Sequence, residues 1–112
     1  MKREKSSCSS SIALRERTLL SPLVAGQLSG LFKVLANDTR LRLLHELIRC
    51  EEACGSDISA ALGMSPQAVS NQLQRMHDWR ILSSRRDGNS IYYRIINPCV
   101  PELLDRGLCF VE

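Results

Sequence analysis

Two sets of side chains in this 112-residue sequence are equipped for chemistry. The first is a set of five cysteines: Cys8, Cys50, Cys54, Cys99 and Cys109. Their number is odd and no C-x-x-C pair occurs, which argues against a zinc ribbon. In a reducing compartment they are not expected to form structural disulfides. They are then soft-ion ligands, redox-active sulfurs or small buried hydrophobes. The second set is a polar face: Ser65, Gln67, Ser70, Asn71 and Gln74, followed closely by Arg85 and Arg86. Asn and Gln amides can bond an adenine edge bidentately in the major groove, and arginines near phosphates release condensed counterions. No phosphate-cradling glycine loop, nucleophile elbow or H-E-x-x-H helix is present, so no enzyme is expected.

The elements that must position these residues follow from local pattern. The Ser-rich, charged stretch 1–17 reads as a basic arm, and 18–112 as one domain. Ser21-Pro22 is a cap with proline at the first helical position, opening a helix to about Ala36. Gly26 and Gly30 on that helix would admit a close neighbour. Asn37-Asp38-Thr39 caps a second helix with Leu41, Leu44, Leu47 and Ile48 on one face. Gly55-Ser56 ends it and caps a short third helix, Asp57 to Leu62. Gly63 stops that helix, and Ser65-Pro66 starts a fourth with Val69, Leu73 and Met76 as its apolar seam. The period then changes to two. Runs 81–86 and 90–96, joined through Asp87-Gly88-Asn89, form a hairpin. Val100, Leu103, Leu104, Leu108 and Val111 give a last amphipathic helix. The fold class is mainly α with a β-hairpin, a winged helix-turn-helix: four helices, a two-stranded wing and a C-terminal helix. His45 is expected at the core boundary, His77 at a solvated helix end, and Trp79 with Tyr92-Tyr93 packing the hairpin.

The net charge of +3 is unevenly placed. Residues 1–17 carry five basic and two acidic side chains. Residues 66–96 carry Arg75, Arg80, Arg85, Arg86 and Arg94 against Asp78 and Asp87, while the last sixteen residues are net acidic. Gathered basic charge of this kind suits a phosphate-facing surface. There is no apolar run of spanning length and no secretory leader pattern, so a cytoplasmic protein without membrane contact is expected. A chain this short buries modest surface, and dimerisation would help it.

Three stretches carry a family resemblance. Leu35-Ala36-Asn37-Asp38-Thr39-Arg40-Leu41-Arg42-Leu43-Leu44 resembles the second-helix signature of the ArsR/SmtB metal-responsive repressors. Ser65-Pro66-Gln67-Ala68-Val69-Ser70-Asn71-Gln72-Leu73 resembles their recognition helix, and Arg85-Arg86-Asp87-Gly88-Asn89-Ser90-Ile91-Tyr92-Tyr93-Arg94 their wing. The likeness spans residues 28 to 100. It implies a homodimer, paired through its first and last helices, that holds double-stranded operator DNA until an inducer lowers its affinity. Family members that bind soft metals on the third helix often have Cys-x-Cys there. Cys54 matches the first thiol, Ser56 replaces the second, and Cys50 lies one turn earlier if the segment stays helical, with Cys8 as a possible third thiolate. On the last helix Cys99 matches a family ligand position, and Cys109 falls one residue from another. These two are ten residues apart, so they meet only across a dimer axis near Leu104. The Cys50/Cys54 set lies nearer the reading helices and is the first expectation. The inducer is then a soft ion, arsenite, antimonite, mercury, cadmium or lead, with no organic cofactor. The alternative keeps the DNA binding and makes the cysteines a redox or persulfide switch.

Overall fold

A computed structural model describes residues 13–112. A single 3-10 turn at Leu14–Glu16 lies in the stretch read as an arm. It is followed by α1 (Pro22–Leu35), α2 (Asp38–Cys50), β1 (Ala53–Cys54), α3 (Gly55–Leu62), α4 (Pro66–Asp78), β2 (Leu82–Asp87), β3 (Ser90–Ile95) and α5 (Cys99–Val111). Three caps read from the sequence are made. Ser21 Oγ accepts from the Val24 N–H, Asn37 Oδ1 from the Arg40 N–H and Ser65 Oγ from the Ala68 N–H, each satisfying an otherwise orphan donor. Prolines at the starts of α1 and α4 sit where no N–H is needed.

The core gathers Leu43, Leu44 and Leu47 of α2 with Ile58 of α3 and Val69, Leu73 and Met76 of α4, closed by Ile81, Leu82 and Val100. Leu41, expected on the buried face of α2, is exposed, and Leu43 is buried in its stead. The reason is that α2 faces apolar surroundings on two sides. One side meets the core, while Leu41 and Ile48 look into a groove toward α5.

The turn of the helix-turn-helix is fixed by Gly63, whose φ of +69° is the left-handed conformation that glycine adopts without strain. Ser59, the one buried polar residue of the described set, donates its hydroxyl to the Met64 carbonyl at 2.7 Å and locks the same turn. The wing pairs Leu82 with Ile95 through Asp87 with Ser90, leaving Gly88-Asn89 as a two-residue loop. Two further features were not foreseen. Ala53 and Cys54 add a third antiparallel strand against Tyr93 and Tyr92, giving the order β1-β3-β2. And α3 begins at Gly55, immediately after that strand and two residues before the expected start, with no side-chain cap.

Candidate nucleic-acid interface and thiol sites

Helix α4 turns Val69, Leu73 and Met76 inward, the seam expected from their spacing, and leaves Gln67, Ser70, Asn71, Gln74 and Arg75 exposed. Gln67 Nε2 donates to Asn71 Oδ1 at 3.2 Å, a contact that uses neither the Asn71 amide nitrogen nor the Gln67 carbonyl. Gln74 Nε2 is held by Asp78 Oδ1 at 2.9 Å. Ser65 sits at the mouth of the helix as its cap. An exposed helix face rich in amides, with arginine as its one cation, can present paired donors and acceptors to base edges.

The two wing arginines differ. Arg85 makes a bidentate pair with Glu52, Nε and Nη2 each 2.8 Å from a carboxylate oxygen, and lies 4.9 Å over the ring of its cross-strand neighbour Tyr92. Asp87 approaches the same guanidinium at 3.7 Å. The Arg85 pair holds the Glu52 carboxyl below its ordinary range, and Glu52 holds Arg85 above its own. Planar, two-point pairing of this kind positions as well as attracts. Its effect is to clasp the wing to the segment between α2 and β1. Arg86 is exposed and makes no ion pair among the described residues. Of the pair, Arg86 is the one with its charge available to a phosphate.

Cys8 lies outside the described residues. Cys50, Cys54 and Cys109 are free thiols, whereas Cys99, half-buried at the head of α5, is disulfide-bonded, against the expectation that no cysteine would be. Cys50 ends α2, and Glu51 at φ +70° turns the chain away, so the helical turn that would align Cys50 with Cys54 does not form. The Cys50 thiol donates to Glu46 Oε2 at 3.2 Å, and that carboxylate pushes its pKa up. Cys54 is buried in β1 with its sulfur 3.2 Å from Ser56 Oγ. Ser56, which stands where a second thiol was sought, thus shares a hydrogen bond with Cys54. Cys109 is exposed near the end of α5. No group of three or more His, Cys, Asp or Glu side chains that could hold an ion occurs among the described residues.

The outer faces are apolar. A groove of about 720 Å³ runs between α1, α2 and α5, lined by Phe32, Leu35, Leu41, Ile48, Leu104 and Leu108 among others. His45, expected at the core boundary, is exposed and lines this groove. Helix α5 buries only Val100, and Leu108, Phe110 and Val111 on it are exposed.

Residues 37–84 match the bacterial regulatory protein, arsR family. Over 98 residues the chain is 30% identical to the cadmium resistance transcriptional regulatory protein CadC of Listeria innocua, covering 88% of this chain and 82% of that one. The chain belongs to the arsR family. The ArsR1 arsenic resistance transcriptional regulator of Pseudomonas putida is 35% identical over 82% of this chain and 66% of its own. Among solved structures, the AntR antimony-specific transcriptional repressor superposes with a TM-score of 0.81 at 55% identity, covering 94% of this chain and 95% of that one. The homodimeric winged helix-turn-helix domain Mb0332 of Mycobacterium bovis gives a TM-score of 0.68 at 28% identity, over 85% and 90% of the two chains. These relatives are transcriptional regulators. No helix of the described residues is long and apolar enough to cross a membrane.

Several contacts of this arsR-family chain escaped the sequence reading. Gln72 looks like one more reading amide but is half-buried, accepting from Arg40 Nε at 2.6 Å. Trp79 lies against Gly30 of α1, where an added Cβ would come within 3.0 Å of the indole. His77 is half-buried rather than solvated, its Nε2 3.4 Å from Ser84 Oγ. The signal that could have found Gln72 is its spacing, three residues after Val69 and four before Met76, which sets it on the flank of the apolar seam; nothing local pointed to Glu52 or Arg40.

Proposed function

We propose that the protein is a cytoplasmic homodimeric repressor that holds operator DNA through α4 and the wing. It releases that DNA when a trivalent metalloid of the antimonite or arsenite class binds its cysteines. The observation that carries this reading is 55% identity to an antimony-specific repressor over 94% of the chain. Soft thiolates select soft ions over the hard cations that carboxylates prefer. Gln67, Ser70, Asn71 and Gln74 are the base-reading set, entered from Ser65, with Arg86 on the phosphates and Arg85 shaping the wing.

The last-helix cysteines are the sensor we favour, in the reduced protein in which the Cys99 disulfide is opened. Cys99 and Cys109 sit on one continuous helix, about 15 Å apart along its axis, so neither chain alone brings them together. If two α5 helices pack antiparallel over their apolar faces, Cys99 comes opposite Cys109 of the partner subunit, making two symmetric sites. An ion there acts on the dimer geometry and so on the spacing of the two α4 helices. Coupling of about 1–3 kcal/mol between ion and DNA is usual for such switches. At Cys50 and Cys54 the ion would have to displace a carboxylate-held proton and open a buried strand.

The test begins with the reduced protein and a genomic fragment pool, from which it should select an operator duplex. Antimonite, arsenite, cadmium, mercury and lead are then titrated while thiolate absorbance and operator affinity are read in the same samples. Cys109→Ser or Cys99→Ser should abolish release, and Cys54→Ser should leave it intact. The reverse pattern assigns sensing to the α2–α3 segment. Release by peroxide or persulfide with no response to any ion establishes the redox alternative instead.

A further inference from the structure

Helix α1 is thinly embedded. Only Val34 and Leu35, in its last turn, are buried, while Leu23, Val24, Leu28 and Phe32 are exposed. Two contacts nonetheless tie it to α4. Arg40, in the first turn of α2, donates from Nη1 to the Val34 carbonyl at 2.8 Å and from Nε to Gln72 Oε1 at 2.6 Å. Its guanidinium therefore bridges the end of α1 to the middle of the recognition helix. At the far end of α4, Trp79 lies against Gly30, so close that any larger residue there would press on the indole. Two attachments at separate points along α4 fix its angle to α1 as well as its distance.

We propose that Arg40 and Trp79 are positioning residues that make α1 and α4 a single rigid pair, so that the seat of α1 in the dimer sets the angle of α4 on DNA. This rests on the reading of the protein as a dimeric operator-binding repressor. The chemistry of the bridge supports it. Arg40 is half-buried and partly desolvated, and its two acceptors, the Gln72 amide oxygen and the Val34 carbonyl, are neutral. A guanidinium offers donors in two fixed directions, which the single ammonium of lysine cannot reproduce. The Arg40 backbone N–H is itself held by Asn37 at 3.0 Å, so the residue is anchored before its side chain reaches out. The α1 surface left exposed is apolar, the kind that a second copy of the chain covers. A shift there has a direct path to the reading face.

Three variants of the full chain test this: Arg40→Lys, which keeps the charge, Gln72→Leu, which removes the acceptor, and Gly30→Ala, which disturbs the Trp79 seat. Arg40→Lys and Gln72→Leu should each lower affinity for the selected operator duplex about tenfold. Affinity for a scrambled duplex and the salt slope should stay unchanged. In a DNA-free measurement, Gly30→Ala should speed amide hydrogen exchange along α4 as well as in α1, with α3 unaffected. Operator affinity retained in Arg40→Lys and Gln72→Leu overturns the proposal. So does a parallel loss on both duplexes with Gln72→Leu, or exchange confined to α1 in Gly30→Ala. If the wild type selects no operator, the repressor reading fails, and the exchange experiment still decides whether the two helices are coupled.

Discussion

A cysteine is a ligand or nucleophile as its thiolate, and Glu46 works against that form at Cys50. The carboxylate accepts the thiol proton and raises the Cys50 pKa. The contact is intact below the ordinary thiol range and is lost as pH rises through the raised value. Alkylation of Cys50 followed by mass spectrometry should therefore be slow at pH 8 for so exposed a sulfur, and Glu46→Gln should accelerate it. An unchanged rate in that variant would mean the carboxylate does not hold the proton in solution. At the same scale, Asn71 and Gln67 should read bases. Asn71→Ala is expected to weaken operator binding by about 1–3 kcal/mol, the usual range for losing a bidentate base contact. Random DNA should bind nearly as before, and an equal loss on both would remove Asn71 from the reading set.

Elements formed where local chemistry and pattern agree. Gly63 with Ser65-Pro66 marks the turn before α4, and Val69, Leu73 and Met76 mark its seam; each is legible from its neighbours alone. The strand Ala53–Cys54 is two residues long and has no alternation to detect, so it exists only because β3 passes beside it. The wing clasp is likewise a tertiary fact, since Arg85 and Glu52 lie 33 residues apart. That clasp divides two adjacent arginines between different tasks. Arg86→Ala is expected to lower the salt slope of DNA binding by about one unit, and Arg85→Ala by clearly less. Equal slopes would show that DNA opens the clasp. Because Glu52 is depressed below its ordinary 4.5, the pair is complete above that pH and is lost only as pH falls through the depressed value. Wing-dependent binding should accordingly be flat across neutral pH.

The whole molecule leaves its first and last helices only partly clothed. Val34, Leu35 and Val100 are all that α1 and α5 bury, while the groove between them stays lined with leucine and phenylalanine. Much of the apolar area that a chain of this size needs is therefore supplied by association rather than by its own interior. Phe110→Glu, at a side chain 91% exposed in the single chain, tests this. It should shift the sedimentation of the protein toward monomer while the far-ultraviolet circular dichroism keeps its helical content. A variant that stays dimeric would place Phe110 outside the contact.

The same groove makes abundance a thermodynamic variable. If folding and pairing are one reaction, each tenfold rise in protein adds about 1.4 kcal/mol to the stability of the pair. The unfolding midpoint should then climb with every step of a concentration series, and a flat series would show that the two processes are separate. In a cell that carries few copies, between rounds of synthesis, the least diluted molecules would be the best folded.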